Sequence, residues 1–302
     1  MGYGDDLMVT GEVKNLKKIH SDAKFVIGNG TKSWWSEIFF GNKYIIRGEQ
    51  AKDHQKVIWL NNYPGHRPYR IYNSLGHKEK YLWNKNYKAK NGEFFFSDKE
   101  IEKANEILQD IKKKFGSKKI VHIEPHVKRS KGYVNRNWGF EKWQSVVNEL
   151  KNEILFIQTS LNDQKILNNV LNIKDMNFRT ACAMMSKTHL FVGAHGGMSH
   201  AAAALNLKAV VIFGGFIDPK NVGYEIHSNI YINDKLSPCG SKYECDHCTK
   251  CMNDIKVNNI TFEIKLFEKI SGFKISNKKI LEILNDLGFK IKVDKNFLKL
   301  KV

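Results

Sequence analysis

No stretch of the 302-residue chain approaches the roughly 18 uninterrupted apolar residues that a membrane-spanning helix needs. The first residues, MGYGDDLMVT, also lack the basic-then-apolar layout of a secretory signal. Together these absences read as a cytoplasmic protein. Acidic side chains are in short supply: 31 Asp and Glu stand against 49 Lys and Arg, a formal charge of +18. That imbalance favours a polyanionic partner, whether nucleic acid, a phosphate-bearing ligand or an acidic membrane face, and does not choose among them. Much of the charge is Lys scattered among Ile and Asn, as on an ordinary solvated surface. Repeats, heptads and low-complexity linkers are missing, which removes solenoid and coiled-coil architectures. Cysteine is scarce outside one segment. Of the five, Cys239, Cys245, Cys248 and Cys251 lie together, and Cys182 stands alone in an apolar helical stretch. Without a secretion signal, such clustering points to a metal site or packed thiols before disulfides.

What is present is a 42% apolar chain, long enough for two ordinary domains or one large one with a real core. Short apolar runs alternate with amphipathic stretches, the rhythm of a parallel sheet with helices on its faces, so the fold class is α/β. Strands are expected at 25–28, 44–46, 57–60, 120–123, 154–158, 190–192 and 210–213. Between 63 and 96 the chain is polar and dotted with aromatics, and its periodicity is poor. Ser97-Asp-Lys-Glu is a capping-box pattern followed by Ile101, Ala104, Ile107, Leu108 and Ile111, which predicts a helix ending near Gly116. The expected division is 1–116, then 117–260 with a Cys-rich segment at 239–251, then a Lys-rich tail at 261–302 with a helix at 276–288. A doubly wound domain normally opens with a strand that feeds its Gly-rich turn, whereas Gly2-Tyr3-Gly4-Asp5 follows Met1 directly. The expectation is that the first strand is supplied otherwise or that the start lies upstream.

Four segments carry chemistry. The opening GYGDDLMVTGEVKNL reads as a tight turn opening a helix with Leu7, Val13 and Leu16 inward. A carboxylate there faces the ligand crevice of an open α/β sheet, which makes Asp5 a candidate general base, Asp6 its rival, and a plain helix cap the competing reading. The second segment runs strand, Gly-Gly turn, helix, strand through His195-Gly196-Gly197-Met198-Ser199-His200 and Ala201 to Leu205. There the amides of Gly196, Gly197 and Met198 are expected free for phosphate oxygens, with His195 and His200 flanking as donors. The third is a cationic loop with Lys128, Arg129, Lys131 and Arg136, suited either to neutralising a leaving diphosphate or to simple solvation. The fourth is Cys239-x5-Cys245-x2-Cys248-x2-Cys251, four thiolates whose number suits a tetrahedral zinc or an iron-sulfur cluster; packed or redox thiols are the alternative.

At these residues the chain resembles glycosyltransferase family 9, the heptosyltransferase-like proteins. The family's amino-terminal motif, Gly-Asp, a short apolar run and Thr-Pro, is similar to Gly4-Asp5-Asp6-Leu7-Met8-Val9-Thr10-Gly11, with Gly in place of Pro. Its Asp-Thr-Gly-x-x-His motif corresponds to His195 through His200, with His195-Gly196 replacing Asp-Thr, and the Phe213-Gly214 that follows the next strand is kept. The resemblance implies a GT-B fold, two Rossmann-like domains facing across a cleft, here followed by a C-terminal tail. It also implies inverting transfer from a nucleotide-diphosphate sugar resembling ADP-heptose to a cell-surface glycan or lipopolysaccharide, with no metal required. On that resemblance Asp5 deprotonates the acceptor, while Gly196, Gly197 and His200 hold the diphosphate and Arg136 takes the place of a phosphate-neutralising Lys. A peripheral position on the inner, anionic membrane face is expected from the basic surface. The competing readings are a nucleic-acid-binding module with a four-cysteine zinc element, disfavoured because Trp34, Trp35 and Trp83 form no stacking motif, and an inactive family member.

Overall fold

The computed structural model describes residues 2–72, 79–127, 131–161 and 164–270. The chain opens with helix α1 (Tyr3–Leu16), strand β1 (Lys24–Ile27) and strand β2 (Val57–Leu60). A two-residue antiparallel ribbon follows, β3 (Arg70–Ile71) with β4 (Leu82–Trp83), and then α2 (Asp98–Phe115). The second half alternates β5 (Lys119–Glu124), α3 (Phe140–Leu150), β6 (Ile154–Thr159), β7 (Leu171–Ile173), α4 (Phe178–Met185), β8 (Leu190–Ala194), α5 (Gly197–Ala204), β9 (Ala209–Gly214), α6 (Pro219–Val222) and β10 (His227–Tyr231). Helices α7 (Asp246–Asp254) and α8 (Val257–Ile270) are the last elements among the described residues.

The six strands of the second half form one parallel sheet in the order β10-β9-β8-β5-β6-β7. The chain leaves β5 in one direction through β6 and β7, then returns to the other side of β5 with β8, β9 and β10. Order therefore reverses between β5 and β8, and the carboxyl ends of these two strands flank the crevice where an open sheet of this kind takes its ligand. The central strands are buried on both faces, which is why they read as unbroken apolar runs: all six residues of β9 are buried. One face is covered by Trp143, Val146, Val147 and Leu150 of α3 with Ile260 and Ile264 of α8. On the opposite face, Ile111 of α2 and Met184 of α4 pack on Ile120 and Ile157.

The amino-terminal half holds a two-stranded parallel sheet, β1 with β2. The expected strand at 44–46 is reduced to a single bridge, Ile45 to Phe25, because the chain turns at Gly41 (φ +79°) and enters a helical turn at Gly48–Asp53, so one residue pair fits. Helix α1 is buried almost all round, including Leu7 and Val13, while Leu16 is half-buried. Its apolar residues share one core with Ala201 and Ala202 of α5 and with Val211 and Phe213 of β9. The expected boundary near 116 falls between α2 and β5, yet Arg179 of α4 reaches across it, donating to both Glu100 oxygens at 2.7 and 2.9 Å and to the carbonyls of Glu37 and Phe95. The boundary expected at 260 lies inside α8, whose Ile260 and Ile264 are core residues. The capping box at Ser97 forms as expected, with the Ser97 hydroxyl accepting from Glu100 N–H and the Glu100 carboxylate from Ser97 N–H. The helix expected at 276–288 lies outside the described residues.

Candidate functional site

Two helix starts meet at the order reversal. The backbone of α1 at Gly4 lies so close to α5 that a Cβ there would stand 2.6 Å from His200 Cδ2 and 3.1 Å from Gly197 Cα, so no side chain fits between the helices. Both N-termini open on a cleft of about 200 Å³ whose wall includes Gly2, Gly4 and Asp5 at the start of α1, Gly196, Gly197 and Met198 at the start of α5, and Arg136 and His195. The first amides of each helix have no intrahelical acceptor and carry the positive end of the helix dipole, which favours an anion in this space.

Asp5 and Asp6 separate here. Asp6 is buried and spent on structure: its Oδ1 accepts from Arg67 Nη2 at 2.7 Å and from Trp34 Nε1 at 3.2 Å. Burial raises its pKa against the pull of Arg67. Asp5 instead lines the cleft, partly exposed, and accepts the Tyr69 hydroxyl on Oδ1 at 2.6 Å. Burial first, then the Asp5 charge, push the Tyr69 phenol well above its usual 10, so Tyr69 stays a proton donor to this carboxylate.

On the facing wall, Arg136 Nη1 donates to the His195 carbonyl at 2.7 Å and lies 3.0 Å from His195 Nδ1. A guanidinium has no acceptor, so Nδ1 must be the unprotonated nitrogen and the ring proton sits on Nε2. Burial, with Arg136 and His200 adding to it, holds the imidazole pKa well below 6.5, so this neutral tautomer persists. Nε2 is buried without a partner. His195 lines the cleft with this N–H donor buried and unanswered, its ring fixed further by stacking on Phe213 at 4.5 Å.

His200 behaves differently. Its Nδ1 bonds the Tyr224 hydroxyl at 2.7 Å, and burial pulls its pKa to about 4 despite the nearby Asp5 charge. It borders the cleft mainly as the packing surface between α1 and Tyr224. One expectation is corrected: the Gly196 amide is not free, since it donates to Ser199 Oγ at 3.1 Å while that hydroxyl returns a bond to Gly196 O at 2.8 Å. The hydroxyl three residues on is well placed to close this local ring. The amides of Gly197 and Met198 remain as the first two of α5.

Sequence reasoning missed several cleft residues. Arg70 lines it, its guanidinium carbon 4.4 Å from the Tyr81 ring centroid and 5.0 Å from that of Tyr69, with Nε buried and unpartnered. Trp83, Tyr133 and Phe216 form apolar wall, and Glu124 and His126 stand at the end of β5. Arg70 and Trp83 come from the aperiodic segment between 63 and 96, where local pattern carries no signal. Lys128 and Arg129 lie outside the described residues.

The cysteine segment forms a second cluster. Ligand atoms of Cys239, Cys245, His247 and Cys248 all fall within 4.8 Å of one another, as do those of Asp234, His247 and Cys251. These side chains could bind a metal. The four cysteines expected to share one ion do not all converge, because Cys251 lies in the second group, with His247 between it and the others.

The model of glycosyltransferase family 9 (heptosyltransferase) matches residues 75–256, more than half of the chain. The chain belongs to glycosyltransferase family 9. Its architecture is the Rossmann-like GT-B fold of that family. A solved glycosyl transferase family 9 structure from Veillonella parvula is similar over 95% of this chain and 94% of its own, with a TM-score of 0.53 at 11% identity. ADP-heptose lps heptosyltransferase II of E. coli is similar over 62% of this chain and 54% of its own, with a TM-score of 0.42 and 13% identity. The iron-containing dodecameric glycosyltransferase TibC from enterotoxigenic E. coli covers 50% and 45%, with a TM-score of 0.42 and 14% identity. The chain thus spans about half the length of these heptosyltransferase structures. No curated protein matches it. The family match begins beyond Asp5, so the amino-terminal resemblance rests on the motif and on the placement of Asp5 in the cleft.

Proposed function

We propose that this family 9 member is an inverting glycosyltransferase, moving a sugar from a nucleoside-diphosphate donor of the ADP-heptose kind to a hydroxyl of a cell-surface glycan or lipopolysaccharide. The observation that carries the reading is the neutral His195 whose Nε2–H is buried and unpartnered beside Arg136, across one cleft from Asp5. Asp5 removes the acceptor hydroxyl proton as its oxygen bonds to the anomeric carbon. The bond from that carbon to the phosphate oxygen breaks, and its electron pair leaves with the diphosphate. Attack opposite the leaving group inverts the anomeric centre. The departing charge is met by Arg136 and Arg70, by the His195 Nε2–H and by the Gly197 and Met198 amides, donors already in place before the charge develops. Tyr69 holds Asp5 in position and never gives up its proton. These side chains supply the acid-base and electrostatic roles.

Among the described residues no helix is long and apolar enough to cross a membrane. A shallow groove of about 800 Å³ lined by Lys14, Lys18, Lys88, Lys90 and Lys220 supports a peripheral, cytoplasmic-side encounter with an anionic leaflet that presents the acceptor.

The test is a thermal-shift panel of ADP, UDP, GDP and CMP with their sugar conjugates, followed by transfer assays on Asp5→Asn and Tyr69→Phe. One nucleotide should stabilise the protein saturably. Asp5→Asn should keep that response and lose transfer by at least about 100-fold, the lower range of general-base contributions. Tyr69→Phe should lower kcat with KM for the donor little changed. Transfer surviving in Asp5→Asn removes Asp5 from the role. A response to oligonucleotide, with none to any nucleotide sugar, overturns the reading.

A further inference from the structure

Helix α7 begins at the cysteine segment: Cys245 is its N-cap, and His247 and Cys248 fall in its first turn. Cys239 arrives from the preceding loop, its Sγ 2.8 Å from that of Cys248 and 4.0 Å from that of Cys245. All the cysteines are free thiols. One nitrogen of His247 completes a set of four donors within 4.8 Å of one another. Around a tetrahedral ion with metal–sulfur bonds of about 2.3 Å, sulfurs sit about 3.8 Å apart, so only small adjustments bring these atoms to ligating positions.

His247 distinguishes a metal site from packed thiols. Its side chain is 9% exposed, and Nε2 is committed to Asp234 Oδ1 at 2.8 Å. Nδ1 is buried with no partner. A metal-bound imidazole shows this division of labour, one nitrogen to the ion and the other donating to a carboxylate that fixes the ring. Cys251 Sγ lies 3.3 Å from Nε2, on the carboxylate's side of the ring. We propose that the protein binds one tetrahedral divalent ion, zinc or iron(II), through Cys239, Cys245, Cys248 and His247 Nδ1, with Asp234 as the residue that orients the histidine and Cys251 outside the ligand set.

The loop this ion would tie down forms part of the cleft's support. Gly240 N–H donates to Phe216 O at 3.1 Å and Cys239 N–H to Gly215 O at 3.0 Å, while Gly240 O accepts from Tyr81 N–H at 2.7 Å. Asn135, beside Arg136, donates its side-chain amide to the carbonyls of Ser241 and Tyr243 at 3.2 and 2.7 Å. Gly240 has φ +63° and Tyr81 packed against its Cα, so glycine is required where the loop turns. Phe216, Trp83 and Arg136 are all cleft wall. The ion thus anchors the wall from behind, and its binding does not depend on the identity of any sugar donor.

The full chain, purified anaerobically under reducing conditions, is assayed for metal by elemental analysis and its ion probed by X-ray absorption. The expected result is one zinc or one iron per chain, surrounded by three sulfurs at about 2.3 Å and one nitrogen at about 2.0–2.1 Å for zinc. Elemental analysis separates the two ions. Cys251→Ser should retain the ion and the same shell. Asp234→Asn should weaken affinity for added zinc about 10-fold against a chromophoric chelator, and His247→Ala by more. A four-sulfur shell, an iron-sulfur cluster, loss of the ion in Cys251→Ser with retention in His247→Ala, or a metal-free chain with a Cys239–Cys248 disulfide each overturns the proposal. Because the absorption measurement is made on the unaltered protein, a variant that fails to fold leaves the test intact.

Discussion

Arg136 fixes the tautomer of His195. A guanidinium nitrogen 3.0 Å from Nδ1 and 2.7 Å from the carbonyl of the same residue allows that ring to carry its proton only on Nε2, the nitrogen with no partner. Arg136→Lys retains the charge, but a single ammonium cannot reproduce the planar fork that reaches both atoms. Nucleoside-diphosphate binding should weaken about 10-fold or more by titration calorimetry, with an unaltered unfolding midpoint. His195→Ala in the Arg136→Lys background should add less than the sum of the two losses, since both act through one unit.

Gly4→Ala tests the approach of α1 to α5. The added methyl would meet His200 Cδ2 at 2.6 Å, and His200 is held in place by Tyr224. The expected cost is about 1–3 kcal/mol, typical of overpacking, read as a lower urea midpoint with an unchanged slope. A variant as stable as the parent would show that the helices are not in close contact.

Arg179 joins the two halves through Glu100, with side-chain exposures of 7% and 15%. Arg179→Ala leaves a mostly buried carboxylate with only its Ser97 bonds and no opposite charge, and two carbonyls without this donor, and should cost about 3–5 kcal/mol. The double variant Arg179→Met with Glu100→Gln, which keeps a side-chain acceptor for the Ser97 N–H, should be more stable than Arg179→Ala, because no unpaired charge remains. Equal stability of the two would locate the cost in packing alone.

Acid stability follows from the buried histidines. Burial lowers His122 to about 3 and His200 and His227 to about 4, from 6.5. The unfolded chain binds protons at these positions first. Their neutral forms therefore cost nothing above pH 6.5, and stability falls as pH drops from 6.5 towards 4 by up to about 1.4 kcal/mol per unit for each histidine. A melting series from pH 7.5 to 4.5 should show a steep decline beginning near 6.5. His227→Gln, which removes one of these titrating groups, should flatten it.

Elements made of local pattern were legible in the sequence. Strands β5, β6, β8 and β9 were visible because both of their faces are buried, leaving apolar runs with no alternation to misread, whereas the mostly half-buried β10 was not expected. Ser97 and Glu100 announced α2 through a capping box closed within four residues. The Gly-Gly turn pointed to the cleft because the close approach of α1 to α5 leaves no room for a side chain at the helix start. Two-residue β3 and β4 and three-residue β7 left no readable pattern, since strands so short show no period. The Gly196 amide departs from expectation because Ser199 Oγ, three residues on, captures it.

By itself the sequence determined the α/β class, the family and the residues at the two turns, because strand hydrophobicity, capping and glycine tolerance are properties of neighbouring residues. Tertiary structure alone decided that Asp5 faces the cleft while Asp6 is buried on Arg67, that Arg70 shares this cleft with Arg136, and that His247 joins three of the four cysteines. Each of these depends on contacts across long sequence separations. Arg67 reaches Asp6 across 61 residues, and Arg136 reaches His195 across 59, spans over which no local period carries information.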